Sequence, residues 1–150
     1  MTSSPRPTIL LLSGANLAIL GEREPEIYGT TTLAEIVERS RVRASAHDLD
    51  VEHLQSNHDG DLVDAILHAR GRVDAIIVNP GAFTHYAWSI HDALASFEGP
   101  VIEVHLSNPN AREPWRHTSV VSPVATGTIA GLGAAGYELA VDAIAELLDR

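Results

Sequence analysis

Glu103 and His105 stand two residues apart in the run Val101-Ile102-Glu103-Val104-His105, directly behind Gly99-Pro100. A short β-branched run of this kind reads as a buried strand, and if the strand reaches His105 both ionisable side chains share one face. So apolar a run has little use for a carboxylate and an imidazole unless they serve chemistry. Leu106-Ser107-Asn108 then leave the strand, and Pro109 and Pro114 bracket a turn carrying Arg112, Glu113 and Arg116. Imidazole, carboxylate, hydroxyl, backbone amides and guanidinium would converge at the carboxyl end of the strand, where open parallel sheets bind their ligands. A strand end with a solvated histidine is the plain alternative.

Composition narrows the chemistry. All ten positive residues are arginines and the chain has no lysine. A lysine Schiff base is therefore impossible, as is a phosphate loop of the GKS/GKT kind. Any anion held by a side-chain cation is held by arginine, which suits planar carboxylates. The formal charge of −10 gives a polyanion such as nucleic acid no electrostatic basis, and no basic run exists for a membrane surface. The absence of cysteine excludes thiolate chemistry and disulfides and fits a cytoplasmic protein. Residues 1–7 read as a flexible tail, residues 9–12 are too short for a signal core, and no stretch has the length of a membrane span.

The elements that must position these groups follow in order. Thr8 to Leu12 reads as the first strand, and the stretch Leu17–Gly29 as a long loop with Gly21, Pro25 and Gly29 as breakers. Loops of this length are often functional lids. Thr32-x-x-Glu35 is a capping box before a helix running to about His47. Strands are expected at Leu49–Leu54, Val73–Val78 and Val101–His105, with a fifth at Thr118–Val121. Helices are expected behind Gly60, around Trp88–Leu94, and over Gly136–Leu148. This alternation predicts one α/β domain over residues 1–150, a flavodoxin-like three-layer sandwich with a five-stranded parallel sheet in the order 2-1-3-4-5. The ligand crevice then falls between strands one and three.

Other motifs weaken on inspection. Gly131-Leu132-Gly133-Ala134-Ala135-Gly136 matches the dinucleotide fingerprint, but the fingerprint needs a strand before it, another after its helix, and a later acidic residue. Close helix-to-sheet packing explains it better. The eight histidines contain no metal-binding spacing; His47, His53 and His68 are expected at the surface. A receiver domain would want an acidic cluster after strand one and a late lysine. A flavin module stays open as a second class, although no loop has the composition of a phosphate cradle.

What remains is a set of polar groups at strand ends: Asn16, Arg23 and Tyr28 after strand one, Asn79 and His85 after strand three, and Glu103, His105, Ser107 and Arg116 around strand four.

These residues fall in segments that resemble type II 3-dehydroquinate dehydratases. The similarity runs through Gly21-Glu22-Arg23-Glu24-Pro25-Glu26-Ile27-Tyr28-Gly29, Gln55-Ser56-Asn57-His58, Asn79-Pro80-Gly81-Ala82-Phe83-Thr84-His85 and Glu103-Val104-His105-Leu106-Ser107-Asn108. It continues with Ala111-Arg112-Glu113, Arg116-His117, Val124-Ala125-Thr126-Gly127 and Gly136-Tyr137. The chain departs from the usual family pattern at Ser13, Ala15, Ala18, Tyr86, Thr118 and Val120. The resemblance implies a dodecameric, cytoplasmic hydro-lyase of the shikimate or quinate pathway. Its reaction would be anti elimination of water from 3-dehydroquinate through an enolate, giving 3-dehydroshikimate. No cofactor or metal is implied, because the substrate ketone is the electron sink. By the same resemblance Tyr28 is the base and His105 the acid, Glu103 orients His105, and Asn16 holds a water at the enolate oxygen. Asn79 and the amides of Leu106 and Ser107 would take the substrate carboxylate. His85 and Arg116 would take ring hydroxyls, and Asp92 would reach in from a neighbouring subunit. Ionising a free phenol at pH 7 costs roughly 4 kcal/mol, and one guanidinium at about 4 Å supplies a similar amount at an effective dielectric near 20. Arg23, on the same loop as Tyr28, is the residue placed to supply it. The rival class is a non-catalytic flavodoxin-like module that has kept the pocket.

Overall fold

The computed structural model describes residues 5–149. Five parallel strands form one sheet in the order β2-β1-β3-β4-β5, as the alternation of elements predicts. The strands are β1 (Thr8–Ser13), β2 (Asp50–Gln55), β3 (Ala75–Asn79), β4 (Val101–His105) and β5 (Gly127–Ala130). The helices are α1 (Pro25–Tyr28), α2 (Leu33–Ala46), α3 (Asp59–Ala69), α4 (Trp88–Ala95) and α5 (Ala135–Leu148).

Strand periodicity divides β1 between two cores. Ile9 and Leu11 face α2 and α5, where they meet Ile36, Val37, Val141 and Ile144. Leu10 and Leu12 face α3 and α4, where they meet Leu62, Ile66, Ile90 and Leu94. A strand apolar on both faces is what a central parallel strand requires. The capping signal is also realised, since the Thr32 hydroxyl accepts from the Glu35 N–H at 3.2 Å at the start of α2.

The turns after β1 and β3 lie against one another. Gly14 N–H donates to the Asn79 carbonyl at 2.8 Å, and a Cβ at Gly14 would lie 2.0 Å from the Pro80 carbonyl oxygen. Gly81, at φ +61°, faces Ala15 across the same seam, with 2.9 Å between a built Cβ and the Ala15 oxygen.

The fifth strand is not where the sequence pattern puts it. Thr118–Val121 is irregular, and β5 forms at Gly127–Ala130. Val120 and Val121 are buried, which explains the apolar signal, but their backbone serves other partners. Val120 N–H donates to the Thr84 carbonyl at 2.7 Å, and the Val120 carbonyl accepts from the His91 ring at 2.6 Å. The Leu17–Gly29 stretch is also more ordered than a plain loop. It holds a 3-10 turn at Leu17–Ile19 and the single helical turn α1, which presents Tyr28.

One histidine also differs from expectation. His53 is half-buried on β2, with its ring 3.0 Å from the Ser13 hydroxyl, and burial holds its pKa below the usual value, aided by Arg41. His47 is exposed, as expected, and its ring bonds to Asp142 at 2.8 Å. A strand does precede Gly131–Gly136, yet among the described residues only α5 follows it. Of the predicted tail, residues 1–4 lie outside the described residues. Pro7 accepts from Asp50 N–H at 2.9 Å, and Arg6 lies 3.7 Å from Asp48.

Candidate active site

A cleft opens at the carboxyl ends of β1, β3 and β4, the edge that parallel α/β architecture leaves for ligands. Arg23 and Tyr28 wall it from the β1 side, Asn79 and His85 from the β3 side, and His105, Leu106 and Ser107 from β4. Arg112 and Arg116, from the turns after β4, close the rim.

The β4 residues are placed by strand geometry alone. Glu103 and His105 share a face, and Glu103 Oε2 lies 2.6 Å from His105 Nε2. Glu103 has no solvent exposure. Its carboxylate also accepts from the hydroxyls of Thr84 at 2.5 Å, Ser119 at 3.0 Å and Ser122 at 2.7 Å. Burial pushes its pKa up, but the hydrogen bond and charge of His105, with the bonds from Thr84 and Ser122, outweigh it and hold the group at about 2. An ionised carboxylate only accepts, so His105 Nε2 carries a proton and Nδ1 is the nitrogen left for the cleft.

His85 is fixed from behind in the same way. Its Nδ1 donates to the Thr118 carbonyl at 2.7 Å, leaving Nε2 as its other nitrogen. Thr118 contributes its backbone carbonyl to this hydrogen bond, so the bond does not depend on the Thr118 side chain. Asn79 is buried. Its Oδ1 accepts from Gly81 N–H at 3.1 Å and its Nδ2 donates to the Tyr137 hydroxyl at 2.8 Å.

Tyr28 sits among cations. The Arg23 guanidinium carbon is 4.5 Å from the ring centroid and that of Arg112 is 5.1 Å away. Arg112 is the residue that sequence reasoning named but did not place in the site. It also donates to the Ser107 hydroxyl at 3.2 Å, and its buried Nε has no hydrogen-bond partner among the described residues. Its position between two prolines in an arginine-bearing turn was the available signal. Arg116 is braced by Glu113 and lies over Trp115 at 3.9 Å.

Three expected site residues do not line the cleft. Glu103 acts from behind His105. Asn16 is exposed at φ +68° in the β1 turn, its N–H donating to Asn57 at 3.0 Å. Asp92 is exposed on α4, away from the cleft of its own chain. No group of histidines and carboxylates suited to a metal ion occurs among the described residues.

A buried carboxylate–imidazole pair facing an arginine-flanked tyrosine is an arrangement for moving protons on an anionic substrate. The family model for dehydroquinase class II matches residues 7–145. The chain belongs to the class II dehydroquinase family. Relatives in this family include a 3-dehydroquinate dehydratase of Halalkalibacterium halodurans, 54% identical over 93% of this chain and 96% of the relative. A catabolic 3-dehydroquinase of Aspergillus clavatus is 54% identical over 92% of both chains. The crystal structure of type II dehydroquinase from Propionibacterium acnes superposes with a TM-score of 0.90 at 46% identity, covering 96% of this chain and 99% of that one. The family's fold is thus the fold derived above, strand order included.

Proposed function

We propose that the protein dehydrates 3-dehydroquinate to 3-dehydroshikimate by anti elimination through an enolate. The observation that carries this reading is the Glu103–His105 pair, bonded at 2.6 Å, across one cleft from Tyr28 with Arg23 above its ring. Tyr28, as phenolate, takes a proton from the carbon beside the ketone. The electron pair moves to the ketone oxygen, and Asn16 holds the water that stabilises this enolate. Arg23 and Arg112 supply positive charge beside the base, which matters most as negative charge is redistributed. The enolate then expels the hydroxyl from the carboxylate-bearing carbon, and His105 protonates it as it leaves. Glu103 keeps the imidazole oriented and is the counter-ion of the imidazolium that gives up this proton.

Asn79 and the N–H groups of Leu106 and Ser107 hold the substrate carboxylate, while His85 and Arg116 take ring hydroxyls. Asp92 completes the site of a neighbouring subunit in a dodecamer of four trimers. The protein is cytoplasmic in this reading; no helix among the described residues is long and apolar enough to cross a membrane. The conversion needs no metal or organic cofactor, because the ketone accepts the electron pair. Family members carry both general and catabolic names, and the same chemistry serves biosynthesis and quinate breakdown.

The conjugated enone of the product absorbs in the ultraviolet, so the purified protein mixed with 3-dehydroquinate is expected to give a rising absorbance. Binding of the substrate with no absorbance change would instead identify a non-catalytic module. A fully active monomer by sedimentation would overturn the role of Asp92.

A further inference from the structure

The glycine-rich segment Gly131–Gly136 is left unused by dinucleotide binding, and its backbone is engaged beneath the cleft. Gly131 N–H donates to the His105 carbonyl at 3.2 Å, and Gly133 N–H donates to the Leu106 carbonyl at 3.0 Å. Both glycines have positive φ, +87° and +62°, which turns their amides back toward the end of β4. A trans peptide is planar, with its C=O and N–H pointing in opposite directions. Fixing the His105 and Leu106 carbonyls on the glycine side therefore aims the N–H groups of Leu106 and Ser107 the other way. Leu106 and Ser107 both line the cleft.

The residue after this segment completes the pattern. A Cβ at Gly136 would meet Val104 and Ile129 at 3.4 Å, so the glycine lets the first turn of α5 settle closely on β4 and β5. Tyr137 is thereby brought beneath β3, with 1% of its surface exposed, and burial pushes its phenol pKa up, keeping it protonated. The Asn79 carboxamide is held at both ends. Gly81 N–H can only donate, so the Asn79 atom 3.1 Å from it is the oxygen. The atom 2.8 Å from the Tyr137 hydroxyl is then the nitrogen. A carboxamide nitrogen has two N–H bonds, so with one on Tyr137 the other is left for the cleft.

We propose that Gly131–Tyr137 is the rear scaffold of the carboxylate clamp, with Tyr137 a positioning residue for Asn79 and the Gly131 and Gly133 amides positioning the Leu106 and Ser107 donors. This rests on the dehydratase reading for the identity of the anion, while the positioning of Asn79 stands independently of it. Substrate binding should depend on Tyr137 although Tyr137 never touches substrate.

Tyr137→Phe keeps the ring and removes only the hydroxyl. With 3-dehydroquinate, Y137F is expected to raise KM about tenfold, the scale of one lost hydrogen bond, with kcat within about threefold. In an Asn79→Ala background the same change should alter KM less than about twofold, because the group it positions is gone. Gly133→Ala, at a φ disfavoured for alanine, should raise KM in both backgrounds, since it acts on the other arm. Equal KM effects of Y137F with and without Asn79, or a fall in kcat at unchanged KM, would overturn the positioning role. A crystal structure of Y137F needs no turnover: a rotated Asn79 carboxamide supports the proposal, and an undisturbed one refutes it. Absence of turnover in the unmodified protein would sink the dehydratase reading and leave that crystallographic result to decide the role of Tyr137.

Discussion

Glu103 accepts the Nε2 proton of His105 at 2.6 Å from a carboxylate wholly out of solvent. The pair is a fixed acid–base unit, and it links catalysis to stability. Glu103 titrates at about 2 in the folded chain against an ordinary 4.5. A depressed carboxylate contributes stability that is fully present above pH 4.5 and is lost as the pH falls toward 2. The difference is worth on the order of 3 kcal/mol. Glu103→Gln is expected to flatten the dependence of Tm on pH between 4.5 and 2. The variant should also lose stability at pH 7, because its amide NH2 would face hydroxyl donors, and kcat should fall at least tenfold. A variant with the same acid profile as the parent would refute the assignment.

Arg23→Ala should abolish turnover while leaving substrate affinity within about tenfold. Its place above the Tyr28 ring, 4.5 Å from the centroid, suits a role at the transition state. Calorimetric titration separates this from ground-state binding. A large rise in the dissociation constant with kcat preserved would reassign the residue.

Surface charge offers the opposite limit. Hydrogen bonds from Arg43 and His47 hold Asp142 at about 2 against the opposing effect of burial, yet its side chain is 31% exposed. Solvent screening limits such a pair to under about 1 kcal/mol. Asp142→Asn should therefore shift Tm far less than Glu103→Gln, by a margin that narrows further at low salt. A loss as large as that of the buried carboxylate would contradict this ranking.

The chain has no lysine, so its only amine outside arginine is the N-terminus. Borohydride treatment in the presence of 3-dehydroquinate should leave full activity and no added mass on the protein. Inactivation with a substrate-sized adduct would exclude the enolate route through Tyr28 and His105.

The sequence pattern carried much of this architecture. Val101–His105 and Ala75–Asn79 are legible because β-branched residues run up to abrupt polar ends, and period-two spacing alone pairs Glu103 with His105. β5 escaped for the converse reason: Gly127-Thr128-Ile129-Ala130 is a half-exposed edge strand with weak propensity, next to the buried Val120-Val121 that signals strand but is not one. His53 eludes the sequence pattern because alternation says which face a residue takes, not that Ser13 waits on the adjoining strand. Arg112 over Tyr28 and Tyr137 under Asn79 join residues far apart in the chain. Such pairings arise where turns after different strands meet at the cleft and where α5 packs on the sheet, and no local period encodes them.

The seam where Gly14 meets Pro80 and Gly81 meets Ala15 bears on how this site could be redesigned. At Gly14 a single added carbon would fall 2.0 Å from a backbone oxygen that cannot swing aside. The seam behind Gly81, which lines the cleft, is therefore rigid to substitution and cannot be reshaped by mutation without parting β1 from β3. Variants meant to admit a bulkier acid must be sought where side chains rather than main chain line the cleft. A mutagenesis library is expected to lose its variants at this seam and to recover its working members from side-chain positions of the cleft.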